Sequence, residues 1–144
     1  MPDTDVGRLM LEAHRALASE FVEEMILRGH EDARPGHAAV FMNIDRRSGT
    51  RLTELARRAR MTKQGMMLVV DDLEERGYVR RVPDSEDARA KVVKLTAKGR
   101  RYVAEARRVI AAIESRVRRD LGTRQYETLR DALEFLVGVV PGGA

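Results

Sequence analysis

Lys63, Gln64, Met67 and Leu68 fall one, three and four residues apart, which places them on one face of an α-helix. Met66, Val69, Val70 and Leu73 form the apolar stripe of the same segment, so the first four point away from it. These side chains match the edges of nucleic-acid bases. A lysine donates to phosphate or guanine, a glutamine pairs with adenine, and a methionine packs on a thymine methyl. Met67 and Leu68 also admit the plainer reading of buried core, since methionine stripes are usually core. Further along, Asp87-Ala88-Arg89-Ala90-Lys91 sets an arginine beyond a polar turn, two residues after an acid. An arginine projecting from a hairpin can enter a narrow minor groove. Asp87 can orient it through a two-pronged carboxylate pair. The plainer alternative is an exposed salt bridge contributing less than ~1 kcal/mol. Asp84 and Glu86 beside it oppose phosphate binding.

Other chemistry finds weaker support. His14, His30 and His37 show no two-histidine metal spacing on one helix, and a site combining His14, His37 and Glu12 would rest on unspecific spacing. There is no cysteine, which excludes thiolate zinc sites, a cysteine nucleophile and a disulfide scaffold. Gly36, Gly49, Gly65, Gly77 and Gly99 are isolated and make no phosphate loop. Ser48 and Ser85 lie in no nucleophile pattern. The expectation is a protein that is not an enzyme and uses no cofactor or metal.

The elements that must position the reading face follow from periodicity. Val6, Leu9, Met10, Ala13, Leu17, Phe21 and Met25 predict a long first helix, broken at Arg34-Pro35-Gly36. His37 to Ile44 reads as a short helix, and Ser48-Gly49-Thr50 as a turn. Leu52 to about Ala59 forms a third helix. Thr62 caps a fourth over Lys63–Arg76, which Gly77 stops. Gly65 is expected to let this helix approach the third closely. Tyr78–Val82 and Lys91–Leu95 are short strands around a polar tip, a hairpin. Thr96 caps a helix carrying Tyr102, Ala106, Val109, Ile110, Ile113, Val117 and Leu121. Gly122 ends it, and Thr123 caps a last helix with Tyr126, Leu129, Leu133, Leu136, Val137 and Val140, stopped at Pro141-Gly142-Gly143. The fold class is mainly α with a small β-hairpin wing: a winged helix-turn-helix plus a helical dimerisation region.

The 144 residues are about one domain's worth of chain, 43% hydrophobic and so able to bury a core. Charge is unevenly placed. Residues 1–48 hold six Lys/Arg against nine Asp/Glu, a net of −3. Residues 49–101 hold fourteen against eight, a net of +6, and residues 102–144 seven against six. The basic middle coincides with the helix-turn-helix and hairpin, as a polyanion-binding surface would. No apolar run approaches a membrane span, and the acidic start Met1-Pro2-Asp3-Thr4-Asp5 does not look like a signal peptide, so a cytoplasmic location is expected.

From Leu52 to Gly99 the chain resembles the MarR family of winged helix-turn-helix transcription regulators. The carrying residues are Leu55-Ala56, Asp71-Asp72-Leu73-Glu74, Gly77-Tyr78-Val79-Arg80-Arg81, Asp87-Ala88-Arg89 and Leu95-Thr96-Ala97-Lys98-Gly99. The wing Asp-x-Arg followed by Leu-Thr-x-x-Gly is the most specific part, and the flanking helices match in order and length. The resemblance implies residues 1–48 as dimerisation and pocket helices, 49–99 as the DNA-binding domain and 100–144 as further dimerisation helices. It implies a homodimer on a pseudo-palindromic double-stranded operator, usually as a repressor, released by a small aromatic or phenolic effector. DNA-facing positions carry over to Thr62, Lys63, Gln64, Met67 and Leu68, and on the wing to Asp87 and Arg89, with Lys91 alongside. Many members carry more polar residues where this chain has Met67-Leu68. A ligand pocket would draw on Met10, His14, Leu17, His37 and Phe41, each of which also reads as ordinary core. The alternative is a winged-helix protein acting mainly through protein–protein contacts, with weak DNA affinity.

Overall fold

A computed structural model of the chain describes residues 4–139. The acidic start at Met1-Pro2-Asp3, Val140 and the stop at Pro141-Gly142-Gly143 lie outside the described residues. The helices are α1 (Val6–Leu27), α2 (Ala38–Phe41), α3 (Leu52–Ala59), α4 (Lys63–Glu75), α5 (Ala97–Leu121) and α6 (Thr123–Val139). Strands β1 (Thr50–Arg51), β2 (Val79–Pro83) and β3 (Lys91–Leu95) form one antiparallel sheet in the order β1-β3-β2.

Each boundary has a local cause. Asp5 Oδ1 accepts the Arg8 amide at 2.9 Å and starts α1. A 3-10 turn at Pro35–His37 leads into α2, which stops at Phe41, so the helix expected from His37 to Ile44 is shortened to four residues. Thr62 caps α4, which ends at Glu75, one residue before the expected Arg76; Arg76 is its C-cap and Gly77 follows at φ 83°. Strand β2, expected over Tyr78–Val82, starts and ends one residue later. The Tyr78 amide is taken by Leu73 O at 2.9 Å, which finishes α4 and leaves β2 to begin at Val79. The Tyr78 carbonyl accepts from Thr96 at 3.0 Å and lies against Gly99, where a Cβ would sit 2.1 Å from it. Only glycine fits there, which explains the Leu-Thr-x-x-Gly sequence. Two expectations are corrected. Thr123 is the first residue of α6 rather than its cap, because Gly122 at φ 83° turns the chain and offers its carbonyl to the Tyr126 amide. The Thr50 turn residue is instead half of β1, paired with Val93, so the wing belongs to a three-stranded sheet.

The chain forms two compact units, residues 1–107 and 108–144. The core of the first holds Met25, Val40, Leu55, Met66, Val70, Leu73, Tyr78, Val79 and Val93, all fully buried. Tyr78 meets Tyr102 edge-on with centroids 5.3 Å apart, and Phe41 stacks on Tyr102 at 4.3 Å. Such aromatic pairs stabilise by about 0.5–1.5 kcal/mol beyond their area. The second unit is the distal part of α5 with α6. There Arg118 pairs with Glu127 and lies over the Tyr126 ring, beside an open hollow of about 550 Å³. No helix among the described residues is long and apolar enough to cross a membrane.

Candidate nucleic-acid interface

α3 and α4 make the helix-turn-helix. α3 turns Leu55 and Ala56 inward, and α4 turns Met66, Val70 and Leu73 to meet the same core. The turn between them is tight. Arg60 adopts the left-handed conformation at φ 53°, and the Met61 amide bonds to Ala56 O at 2.9 Å. That conformation costs a non-glycine residue about 1–2 kcal/mol, which the turn's hydrogen bonds offset. Thr62 Oγ1 then accepts the Gly65 amide at 3.0 Å and fixes the first turn of α4. The expected role of Gly65 is corrected here. A Cβ on it would meet Thr62 Oγ1 at 3.0 Å and the Met61 methyl at 3.6 Å, so the glycine makes room for its own cap, not for α3.

The outer face of α4 carries Lys63, Gln64, Met67 and Leu68, all exposed, with Thr62 exposed at its start. Leu68 is 68% exposed and Met67 39%, so the plainer reading of these two as buried core does not hold. Toward the C-terminal half the face turns acidic, and a single cation offsets part of that charge. Arg81 on β2 donates to Asp71 at 2.5 Å and to Glu74 at 2.8 Å, and its own amide bonds to Glu74 at 2.9 Å. Sequence reading missed this pairing, because ten residues separate Arg81 from Asp71 and no helical spacing links them.

Behind α4 lies a polar chain, also unforeseen. His37 Nε2 bonds to Asp72 Oδ2 at 2.7 Å, and Arg76 Nε bonds to Asp72 Oδ1 at 3.0 Å. The His37 hydrogen bond, aided by Arg76, holds the Asp72 carboxyl below the usual carboxylate range. Tyr78 donates its hydroxyl to Asp32 at 2.7 Å, and burial together with that bond pushes its phenol upward. Burial likewise pushes the Tyr102 phenol up, to about 12. His37 and Phe41 therefore stand in packed surroundings, whereas Met10, His14 and Leu17 lie on an exposed stretch of α1. Among the described residues no three side chains of metal-ligating type cluster.

The wing is a second exposed feature. Asp87 Oδ1 accepts the Arg89 amide at 3.1 Å and the Arg89 Nε at 3.4 Å, while the Ala90 amide bonds to Asp87 O at 2.9 Å. Asp87 therefore caps the turn with one oxygen rather than gripping Arg89 with two, as the sequence led us to expect. The Arg89 side chain is 94% exposed. Lys91 opens β3 opposite Pro83 and is exposed. At the base of the wing, Arg51 on β1 donates through Nε to Asp84 at 2.7 Å and also through Nη2. A helix face and a wing that each present cations and hydrogen-bonding groups to solvent are suited to a double helix, one in its major groove and one in its minor groove.

Residues 33–90 match the MarR family. The chain is 35% identical over 88 residues to an HTH-type transcriptional repressor of Mycobacterium tuberculosis, across 61% of this chain and 63% of that protein. It thus spans just under two thirds of the length of the curated repressors it matches. Its fold is similar to that of the transcriptional repressor CouR bound to a 23-mer DNA duplex, with a TM-score of 0.76, 24% identity and 92% of each chain covered. It is also similar to CouR from Rhodococcus jostii RHA1 bound to p-coumaroyl-CoA, with a TM-score of 0.73, 23% identity, and 92% and 91% covered. These likenesses establish a winged helix. The proteins so matched are transcriptional regulators, not enzymes.

Proposed function

We propose that this chain, whose residues 33–90 belong to the MarR family, is a cytoplasmic, sequence-specific DNA-binding repressor that reads a pseudo-palindromic operator as a homodimer. The observation that carries the reading is the exposed outer face of α4, which packs on α3 through the buried Leu55 and Ala56 and is capped by Thr62. Lys63 contacts phosphate or guanine, Gln64 pairs with adenine, and Met67 and Leu68 meet thymine methyls. Arg89, with Asp87 and Lys91 around it, enters the adjoining minor groove. The pairing of Arg81 with Asp71 and Glu74 supports this, since the shared cation lessens acidic repulsion along the same helix.

Residues 49–99 do the reading, and residues 1–48 and 100–144 do the pairing. On α1, Val6, Leu9 and Leu11 are exposed; on α6, Leu129, Leu133, Phe135 and Val137 are exposed. Apolar surface of that extent marks an interface, and a two-fold contact between copies is the commonest solution. Two recognition helices then address half-sites about one DNA turn, roughly 10 bp, apart. The effector we propose is a small aromatic or phenolic molecule, anchored by Met10, His14, Leu17, His37 and Phe41. The aromatic surroundings of Phe41 and the p-coumaroyl-CoA carried by CouR support that class.

The test is a salt titration of binding to operator fragments selected from the source genome, against random duplex. A steep fall of affinity with salt and a preference of ~10³-fold or more are expected. Flat, weak binding to every sequence overturns the reading in favour of protein–protein contacts.

A further inference from the structure

Arg51 belongs to none of the groups assigned above, yet its position is unusual. It is the last residue of the two-residue strand β1 and the residue that precedes the first turn of α3. It lies opposite Val92 of β3, and Val92 in turn lies opposite Val82 of β2. Asp84 follows two residues after Val82, where the wing turn begins. Since β1 and β2 are the two edge strands, their backbones are separated by roughly twice the ~4.8 Å strand spacing. The Arg51 guanidinium bridges that gap and donates two hydrogen bonds to Asp84 Oδ2.

Asp84 is itself the first link in the wing. Its Oδ1 accepts the Glu86 amide at 3.1 Å, and its own amide bonds to Ala90 O at 2.9 Å. The Ala90 amide is held by Asp87 O, and Asp87 holds Arg89. Hydrogen bonds therefore run from Arg51 through Asp84, Ala90 and Asp87 to Arg89. The Asp84 side chain is only 13% exposed, so its carboxylate is committed to this junction and not spread into solvent. The bonds from the Glu86 amide and from Arg51 hold its carboxyl below the usual carboxylate range.

We propose that Arg51 is a positioning residue that sets the wing relative to the helix-turn-helix. By fastening the base of the wing to the start of α3, it fixes where Arg89 stands when α4 occupies the major groove. The proposal rests on the DNA-binding reading above. It gives Asp84 a role opposite to simple electrostatics. An acid near a phosphate backbone repels it, and its removal should tighten binding; as the anchor of the wing, its removal loosens binding.

The experiment measures operator affinity of Arg51→Ala, Asp84→Ala, Arg89→Ala and the double variant Arg51→Ala/Arg89→Ala, with the melting temperature of each. Arg51→Ala and Asp84→Ala are each expected to weaken binding ~10-fold, the scale of one lost contact. In the Arg89→Ala background, Arg51→Ala is expected to cost less than ~2-fold, because the group it positions is gone. Tighter binding by Asp84→Ala overturns the proposal. So does an additive loss in the double variant with a salt slope lowered by about one, which makes Arg51 a direct phosphate contact. A DNA-free measurement separates this idea from the functional reading. Hydrogen exchange at the Asp84, Glu86 and Ala90 amides in the free protein is expected to quicken at least ~10-fold in Arg51→Ala. Unchanged exchange there overturns the clamp even if the wild type binds DNA well. Faster exchange in a protein whose wild type binds no DNA leaves the clamp standing and removes the repressor reading.

Discussion

Helices α1 and α4 have equally regular apolar stripes but end in different surroundings. α4 spends thirteen residues and buries Met66, Val70 and Leu73 completely. α1 spends twenty-two, and its one buried residue is Met25, close to its C-terminal end. Val6, Leu9, Met10, Leu11 and Leu17 remain exposed. Periodicity thus reports which face of a helix seeks cover, not whether that cover lies in the same chain. α4 is completed by α2, α3 and the sheet, whereas most of α1 stays uncovered in the single chain, where the proposed homodimer would cover it.

The largest expected effects come from cutting matched leucines on the two helices. Leu73→Ala removes a fully buried side chain and should cost about 2–5 kcal/mol, much of a domain's stability, at any protein concentration. Leu9→Ala, at a site 55% exposed in the single chain, should change the urea midpoint only where the chain is paired, so its effect should depend on concentration. Melts at two protein concentrations check both. An equal, concentration-independent loss at the two sites would erase the distinction between the helices.

α6 shares the condition of α1, and a charge there tests it by assembly state. If the proposed homodimer pairs through α6, Leu133→Asp should give monomers in sedimentation velocity while leaving the helical circular dichroism of the chain intact. A soluble dimer carrying Asp at 133 would move the interface elsewhere.

The sequence was most legible where one residue type had one local job. Thr62 as the cap, Met66, Val70 and Leu73 as the inward stripe, and the exposure of Lys63 and Gln64 all follow from helical phase. β1 was illegible because two residues, Thr50 and Arg51, are too short to show alternation. The ion pairs Arg81–Asp71 and Arg51–Asp84 were illegible for a different reason. Arg81 and Asp71 are ten positions apart and meet where α4 packs on β2, while Arg51 and Asp84 are thirty-three apart and meet through sheet register. The resemblance drawn from Leu52 to Gly99 overlaps the family match at 33–90, while the pocket residues on α1 and α2 fall in two environments that no local pattern foretold.

On α4 the comparison sharpens to single base pairs. Gln64→Ala should relax preference at one symmetric position in each half-site, losing roughly 1–3 kcal/mol of discrimination with stability unchanged. Replacing thymine by uracil at the positions facing Met67 and Leu68 should weaken wild-type binding and leave the Met67→Ala/Leu68→Ala variant indifferent. A uniform loss for Gln64→Ala across all sequences would reassign that residue to the phosphates.

The smallest effect asks whether α3 is as self-contained as α4. Glu54 accepts from Arg57 at 2.9 Å and from Arg58 at 3.0 Å, and Arg58 reaches on to Asn43 O at 2.7 Å. Hydrogen bonds from Arg57 and then Arg58 lower the Glu54 carboxyl from 4.5 to about 2. A carboxyl depressed in the folded state stabilises it above the unfolded value, and that contribution fades as pH falls from about 4.5 toward 2. The group lies at the surface, where water and salt screen it, so the slope should be shallow. Glu54→Gln should therefore be slightly less stable than the wild type at pH 7, and the gap between their urea midpoints should close below pH 4. A constant gap across that range would mean that the carboxylate's charge does not matter, and that Arg58 holds α3 to the α2 segment through its bond to Asn43 alone.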